Sequence, residues 1–261
     1  MRVPEALALG GPPEGSEMKQ GRAAKAGTPG RRRAAARRSG AGSAGRRPSV
    51  APGDHRRMHE ASWSRADAVA VLDAPDRRST QDPDRLWRRL GLKRGDTVVD
   101  VGAGTGFYAF AAASVVGSSG RVYAVDVSQD LVQLVRERAA GRKVRNVEPV
   151  LSTLTHIPIE DAVADVALLA NVLHGIPSET VDEAVRLLRP GGRLVDVDWK
   201  KEPSPQGPPV EHRLTAAEAT AVLSAHRLTP TEAFDLGPFH YVLVFERPHP
   251  PRLPGRLVSA E

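Results

Sequence analysis

The chain has 261 residues, of which 40% are hydrophobic and 26% charged, so it is long enough for one domain with a sizeable core. Its net charge of +6 comes from one segment: residues 1–57 hold 13 Lys/Arg against 4 Asp/Glu, whereas residues 58–261 hold 24 against 27. The basic balance therefore does not indicate a folded domain that binds nucleic acid, and the absence of cysteine excludes disulfides, cysteine metal sites and cysteine nucleophiles from this chain.

Residues 1–57 form a low-complexity tail with 10 Gly, 6 Pro and no aromatic residue. Such a composition buries too little apolar surface to offset its ordering entropy, so the tail is predicted to be disordered. Its Arg-rich run at 31–38 leaves three alternatives open: a basic arm for RNA or an anionic membrane, a targeting leader, or a passive extension with Met58 as the real start. A second disordered tail is predicted at 248–261. This leaves 58–247 as the folded domain.

Strand and helix patterns alternate through that domain. Short apolar runs bounded by glycine predict strands, and helical runs closed by glycine predict helices. In chain order these are a strand at 97–101, helix 106–116, strand 121–126, helix 129–140, strand 144–151, strand 164–170, helix 178–188, a turn at 190–192, strand 193–199, helix 215–226, and strands at 228–234 and 240–246.

This alternation predicts an α/β fold, a Rossmann-like doubly wound sheet of about seven strands with helices on both faces. The last two strands are joined too closely for a crossover, so the sheet is expected to be mostly parallel with an antiparallel last strand. Pro149 places the third strand near an edge. Ligands are expected at the carboxyl ends of the strands, where the strand order switches.

The first predicted strand runs into a glycine loop with the sequence Asp100-Val-Gly102-Ala103-Gly104-Thr-Gly106. A pyrophosphate-binding loop has the spacing G-x-G-x-x-G, whereas this one is G-x-G-x-G with an acid two residues before it. Asp126 ends the next strand, where a carboxylate can accept hydrogen bonds from both hydroxyls of a ribose. The pattern resembles the first motif of class I S-adenosylmethionine-dependent methyltransferases.

The resemblance implies S-adenosylmethionine as the cofactor. The glycines, with Ala103, would leave room for its amino-acid end, and Asp100 would hold its ammonium group. Backbone N–H groups at the start of the next helix suit its carboxylate. Two alternatives stay open: a tight strand-to-helix turn without a ligand, and Asp126 as a helix N-cap, although Ser128 is better placed for capping.

Two later segments resemble further motifs of ubiquinone/menaquinone-type methyltransferases. Segment 152–158 resembles the adenine-contacting motif, with Thr153 where that family often has Asp. The resemblance implies Leu154 and Val127 on either side of the ring, although ordinary core packing explains these two residues equally. Segment 169–175, which contains Asn171, resembles the motif beside the reactive methyl group. Segments 198–202, 207–213 and 237–241 look like a subgroup of small bacterial and archaeal methyltransferases, and the leader at 63–83 looks like theirs.

The acceptor side of the site is less determined by the sequence. His174 and His240 follow or open predicted strands and are candidates for a general base or a substrate contact, against the alternative of structural hydrogen bonds. Trp63 and Tyr108 are candidates for shaping the acceptor pocket, although core packing explains them equally. Lys200 could attract an acidic acceptor or lie on a solvated face. No metal site is expected.

The sequence therefore predicts an enzyme that transfers a methyl group from S-adenosylmethionine to a small-molecule acceptor. Two other classes remain: an RNA-binding or RNA-modifying protein that uses the basic arm, and a nicotinamide-dependent oxidoreductase, which the glycine spacing disfavours. Nucleic acid is not an expected partner. No apolar run reaches the roughly 18 residues that span a bilayer, so a cytoplasmic location is expected. The oligomeric state is not predicted.

Overall fold

The computed structural model of the protein describes residues 65–250. The predicted tail at 1–57, the candidate residue Trp63 and all but the first three residues of the tail at 248–261 lie outside the described residues.

Seven strands form one sheet in the order β3-β2-β1-β4-β5-β7-β6. Their bounds are β1 Thr97–Val101, β2 Arg121–Asp126, β3 Val147–Leu151, β4 Ala164–Ala170, β5 Leu188–Trp199, β6 Thr229–Leu236 and β7 His240–Glu246. Strand β7 runs antiparallel to both β5 and β6, and all other pairings are parallel. The predicted doubly wound sheet, its antiparallel last strand and the edge position of β3 are confirmed. The strand order switches between β1 and β4.

Helices cover both faces of the sheet. They are α1 Arg65–Leu72, α2 Arg77–Thr80, α3 Pro83–Arg89, α4 Phe107–Val116, α5 Gln129–Gly141, α6 Ser178–Leu187 and α7 Ala216–Ser224. Helices α3, α4 and α5 pack on one face, and α6 and α7 pack on the other. Across residues 65–250, no helix is both long enough and apolar enough to cross a membrane.

Strand β5 differs from its prediction. It begins at Leu188, which pairs with Ala164, and the register shifts before Arg193 pairs with Val166. Residues 189–192, which include the predicted turn at 190–192, therefore bulge out of a continuing strand, with Gly191 at a φ of +78°. The predicted turn is thus a bulge within β5, and the chain does not leave the sheet there.

The described part of the leader, residues 65–83, contains α1 and α2, and α3 after it is anchored in the core. Asp82 caps α3 by accepting hydrogen bonds from the backbone N–H groups of Asp84 and Arg85, at 3.0 and 3.1 Å. Leu86 and Trp87 are fully buried against the sheet, and the Trp87 indole N–H donates to the carbonyl of Tyr108 at 3.2 Å. This anchor fixes where α1 and α2 lie, which is over the glycine loop.

Candidate active site

The glycine loop follows β1 and cannot carry side chains at two of its positions. Gly102 and Gly104 both have left-handed backbone, with φ of +74° and +56°. A Cβ on Gly102 would lie 2.7 Å from Cγ1 of Val172, and one on Gly104 would lie 2.9 Å from Cδ1 of Leu72 in the leader. The loop is therefore closely packed between the β4 end and the leader, and it tolerates only glycine there.

Asp126 stands at the end of β2 and binds the glycine loop. Its Oδ2 accepts from the backbone N–H of Gly104 at 2.8 Å, and its Oδ1 accepts from that of Ser128 at 2.9 Å. Burial raises the pKa of this carboxyl, and the backbone hydrogen bonds from Ser128 and Gly104 oppose the rise. The N-cap of α5 is Ser128, whose hydroxyl accepts from Leu131, so Asp126 does not cap that helix.

Asp100 lies at the end of β1 on the other side of the loop. Its side chain is buried, and among residues 65–250 its Oδ2 has no hydrogen-bond partner. Burial raises its pKa to about 7, the charge of Arg77 lowers it, and the charge of Asp126 raises it. A buried carboxylate oxygen without a partner can still accept a hydrogen bond from a cationic donor.

The predicted adenine contacts follow the ends of β2 and β3, which are neighbours in the sheet. Val127 and Leu154 are half-buried, and Thr153 is exposed. The Thr153 hydroxyl lies in its own turn, 3.4 Å from the His156 carbonyl and 3.3 Å from the backbone nitrogen of Thr155. These hydrogen bonds fix the turn, and the contact of these residues with an adenine stays a prediction.

The leader closes over the glycine loop through an ionic and apolar contact. The hydroxyl of Thr105 donates to Asp73 at 2.8 Å, and Asp73 also forms an ion pair with Arg138 of α5. Ala68 packs in one apolar cluster with Leu131 and other residues of α1 and α5. The leader was expected as part of the domain, but nothing in its sequence predicted this contact.

Gln81 joins the leader to the carboxyl ends of the strands, and the sequence analysis missed it. Its buried Oε1 accepts from Nδ2 of Asn171 at 2.9 Å and from the hydroxyl of Tyr108 at 3.3 Å. Asn171 follows β4 with a φ of +59°, a conformation that asparagine tolerates better than most residues. Asn171 and Tyr108, predicted from separate motifs, therefore meet through one glutamine.

His174 forms a dyad with Asp198, at the ends of β4 and β5. Nδ1 of His174 lies 3.0 Å from Oδ2 of Asp198, and both side chains are buried. The backbone N–H of Trp199 donates to the other carboxylate oxygen at 2.7 Å. The sequence analysis missed Asp198, although Asp196 and Asp198 alternate on a central strand, which places two acids on one buried face.

His240 lies on the opposite face from that dyad. Its imidazole is fully buried 4.1 Å from the Trp199 ring, and among the described residues neither ring nitrogen has a hydrogen-bond partner. Burial lowers the pKa of His240 to about 3, helped by the charges of Arg77, Arg213 and Lys200. It is therefore a neutral ring near pH 7. Lys200 is itself paired with Asp235, at 2.7 Å.

Most of the predicted site residues thus gather at one edge of the sheet, around the switch between β1 and β4. Only Trp63 lies outside the described residues. The two candidate bases, His174 and His240, lie on opposite faces of the sheet. They are therefore not expected to take a proton from the same acceptor group.

Comparisons with known proteins identify relatives of this chain. A family model described as a methyltransferase domain matches residues 92–227, about half of the chain. A solved structure of a SAM-dependent methyltransferase from Aquifex aeolicus is 30% identical with a TM-score of 0.68, and covers 71% of this chain and 100% of that one.

Two curated proteins match over shorter stretches. An arsenite methyltransferase from Halobacterium salinarum is 37% identical over 106 residues, 40% of this chain and 27% of that protein. A ubiquinone/menaquinone biosynthesis C-methyltransferase from Pseudomonas entomophila is 32% identical over 127 residues, 45% of this chain and 49% of that protein. The matches thus span about a quarter and about half of these two relatives. They support neither the nicotinamide-dependent oxidoreductase nor the RNA-binding alternative.

Proposed function

The chain belongs to the class I S-adenosylmethionine-dependent methyltransferases, and from this premise we propose that it transfers a methyl group to a small-molecule acceptor. The observation that carries the proposal is the pair of acids on either side of the glycine loop. Asp100 has a buried oxygen without a partner among residues 65–250, and Asp126 is held at the end of β2 by two backbone N–H groups.

These residues fit S-adenosylmethionine. Asp100 would hold the ammonium group, and Asp126 would accept from the ribose hydroxyls, since each of its oxygens keeps a lone pair beside its backbone hydrogen bond. Gly102, Ala103, Gly104 and Gly106 would line the amino-acid end. Val127, Thr153 and Leu154 would surround the adenine, and Asn171 would lie beside the reacting centre.

When bound, the cofactor supplies a methyl group on a sulfonium, ready for in-line displacement. The chain's own contribution is to align the acceptor and to keep water out. The leader would keep water out, because Gln81 is hydrogen-bonded to both Asn171 and Tyr108.

His174 is the proposed general base for an acceptor that arrives protonated. Asp198 accepts from Nδ1 of His174, and this hydrogen bond fixes the tautomer whose Nε2 can take a proton. His240 is the proposed substrate contact instead, because a ring with a pKa of about 3 is too weak a base near pH 7. Tyr108 and Lys200, and Trp63 in the segment before the described residues, remain proposed contacts of the acceptor.

The acceptor is proposed to be a small molecule because one relative named above is an arsenite methyltransferase and the other is a C-methyltransferase of ubiquinone/menaquinone biosynthesis. Arsenite itself fits poorly. Its soft arsenic centre prefers thiolate ligands, and the 261 residues contain no cysteine. A cytoplasmic location, predicted from the sequence, belongs to the same proposal and can be tested by cell fractionation.

Transfer of a labelled methyl group tests this function. The full-length protein is incubated with methyl-tritiated S-adenosylmethionine and a cell extract separated into small molecules, RNA and protein, with a sample lacking the protein as control. We expect protein-dependent label in the small-molecule fraction. Label in the RNA fraction instead would support the basic-arm alternative and contradict the proposal.

A further inference from the structure

Arg77, the first residue of α2, lies over the amino-acid end of the proposed cofactor site. Its Nη1 donates to the Leu72 carbonyl at 2.8 Å, and its Nε donates to Oε1 of Gln81 at 3.4 Å. The guanidinium carbon lies 4.2 Å above the centre of the Phe107 ring, at the start of α4. The side chain is half-buried. The leader thus holds a cation against the helix that follows the glycine loop.

This cation has no carboxylate partner within ion-pair distance among residues 65–250. The nearby acid Asp73 is paired with Arg138, and the neighbouring Arg78 is paired with Asp84. Burial lowers the pKa of Arg77, while the charges of Asp100 and Asp73 raise it from a distance. A guanidinium removed from water without a paired anion is costly. Arg77 is therefore ready to receive an anion that residues 65–250 do not supply.

Four N–H groups of the glycine loop are already engaged within the protein. The N–H groups of Gly102 and Ala103 both donate to the Val125 carbonyl, at 2.8 and 2.9 Å. The N–H of Gly104 donates to Asp126. The N–H of Gly106 donates to the Ala103 carbonyl at 2.9 Å. Their acceptors are Val125 and Asp126 of β2 and Ala103 of the loop, so these four donors are not available to a bound carboxylate.

Asp100 and Arg77 together suit a zwitterion. The ammonium and carboxylate of an amino acid share one carbon, so a ligand with its ammonium on Asp100 presents its carboxylate nearby. We propose that Arg77 binds the α-carboxylate of S-adenosylmethionine and so couples closure of the leader to the amino-acid end of the cofactor. The inference rests on the proposed function. A carboxylate on the methyl acceptor has the same chemistry, and the test below separates the two sources.

The test compares S-adenosylmethionine with its decarboxylated form, which lacks only the carboxylate. Both are titrated calorimetrically, without acceptor, into the full-length protein, Arg77→Gln and the control Arg78→Gln. Arg78 is exposed, in the same helix, and carries the same charge. The wild type and Arg78→Gln should prefer the carboxylated ligand by about tenfold or more, the scale of a charge-assisted hydrogen bond.

Arg77→Gln should abolish that preference. This substitution should weaken the binding of S-adenosylmethionine by about tenfold or more. The affinity for the decarboxylated ligand should stay unchanged or rise, because a cation near the ligand's ammonium group is removed. Arg77→Lys keeps the charge without the planar fork, so it should retain part of the preference.

Three results would overturn the inference. Equal weakening of both ligands by Arg77→Gln would mean that the arginine only holds the leader in place. If Arg77→Gln binds S-adenosylmethionine as tightly as the wild type, Arg77 does not bind the cofactor carboxylate. It would then bind a carboxylate of the acceptor, or no anion at all. A wild type that binds neither ligand would remove the proposed cofactor as well, which distinguishes failure of the function from failure of the inference.

Discussion

Replacing Asp126 with asparagine is the most informative single change in the proposed cofactor site. The carboxylate has about four lone-pair positions, and the N–H groups of Gly104 and Ser128 occupy one on each oxygen. Asparagine keeps one oxygen and places an NH₂ group where the other was. That NH₂ cannot accept from a ribose hydroxyl, and it faces one of the two backbone donors.

The expected cost is the loss of one hydrogen bond to a charged group and the weakening of a second. Hydrogen bonds to charged groups contribute about 1.5–3 kcal/mol, which corresponds to roughly a 10- to 150-fold rise in the Kd for S-adenosylhomocysteine. Because the backbone contacts also hold the loop, we expect the melting temperature of Asp126→Asn to fall as well.

Isothermal titration of the full-length protein with S-adenosylhomocysteine measures this effect. Asp130→Asn is the matched control, since Asp130 is an exposed acid four residues further on in α5. The control removes the same charge and should leave the Kd within about twofold, because exposed charges are screened by solvent and salt. Wild-type affinity in Asp126→Asn, or an equal loss in the control, would refute a direct ribose contact.

The remaining predictions concern Asp100, the His174 dyad and a helix cap. The proposed ammonium contact of Asp100 needs the ionised carboxylate, and burial raises the pKa of this group to about 7, so affinity for S-adenosylhomocysteine should fall as the pH drops from 7 to 5, by up to about tenfold per unit. Asp100→Asn should bind S-adenosylhomocysteine more weakly, with an affinity that does not change between pH 7 and pH 5. A wild-type affinity that is independent of pH would contradict the role of Asp100. His174→Ala should lower kcat by about 10²-fold or more with the Kd for S-adenosylmethionine unchanged, measured as S-adenosylhomocysteine release with an identified acceptor; an unchanged kcat would exclude it as the base. Thr215 caps α7 in a reciprocal pair with Glu218, so Thr215→Ala should cost about 1 kcal/mol in denaturant unfolding, and no loss would mean that the cap is dispensable.

The parts of the fold that were predictable are those determined by local sequence. The run 97–101 and the glycine loop after it are strongly patterned, and β1 has the predicted bounds. The antiparallel β7 followed from the short connection before His240. The bulge at 189–192 was not predictable, because it depends on Leu188 pairing with Ala164 in another strand.

The position of the candidate site was predictable at the ends of β1 and β2, and its other contacts much less so. Asp100 and Asp126 belong to a motif with fixed spacing, so the sequence alone identifies them as candidates. Gln81 meets Asn171 across 90 positions of sequence, and no periodicity reports such a contact. Asp198 pairs with His174 only because β4 and β5 are neighbours in a particular register.

Parallel calorimetric titrations with S-adenosylmethionine, S-adenosylhomocysteine and NADH test the central claim most directly. The full-length protein should bind the first two with micromolar affinity and give no signal with NADH. Binding of NADH alone, or silence from all three ligands in a folded sample, would contradict the assignment of this site to S-adenosylmethionine.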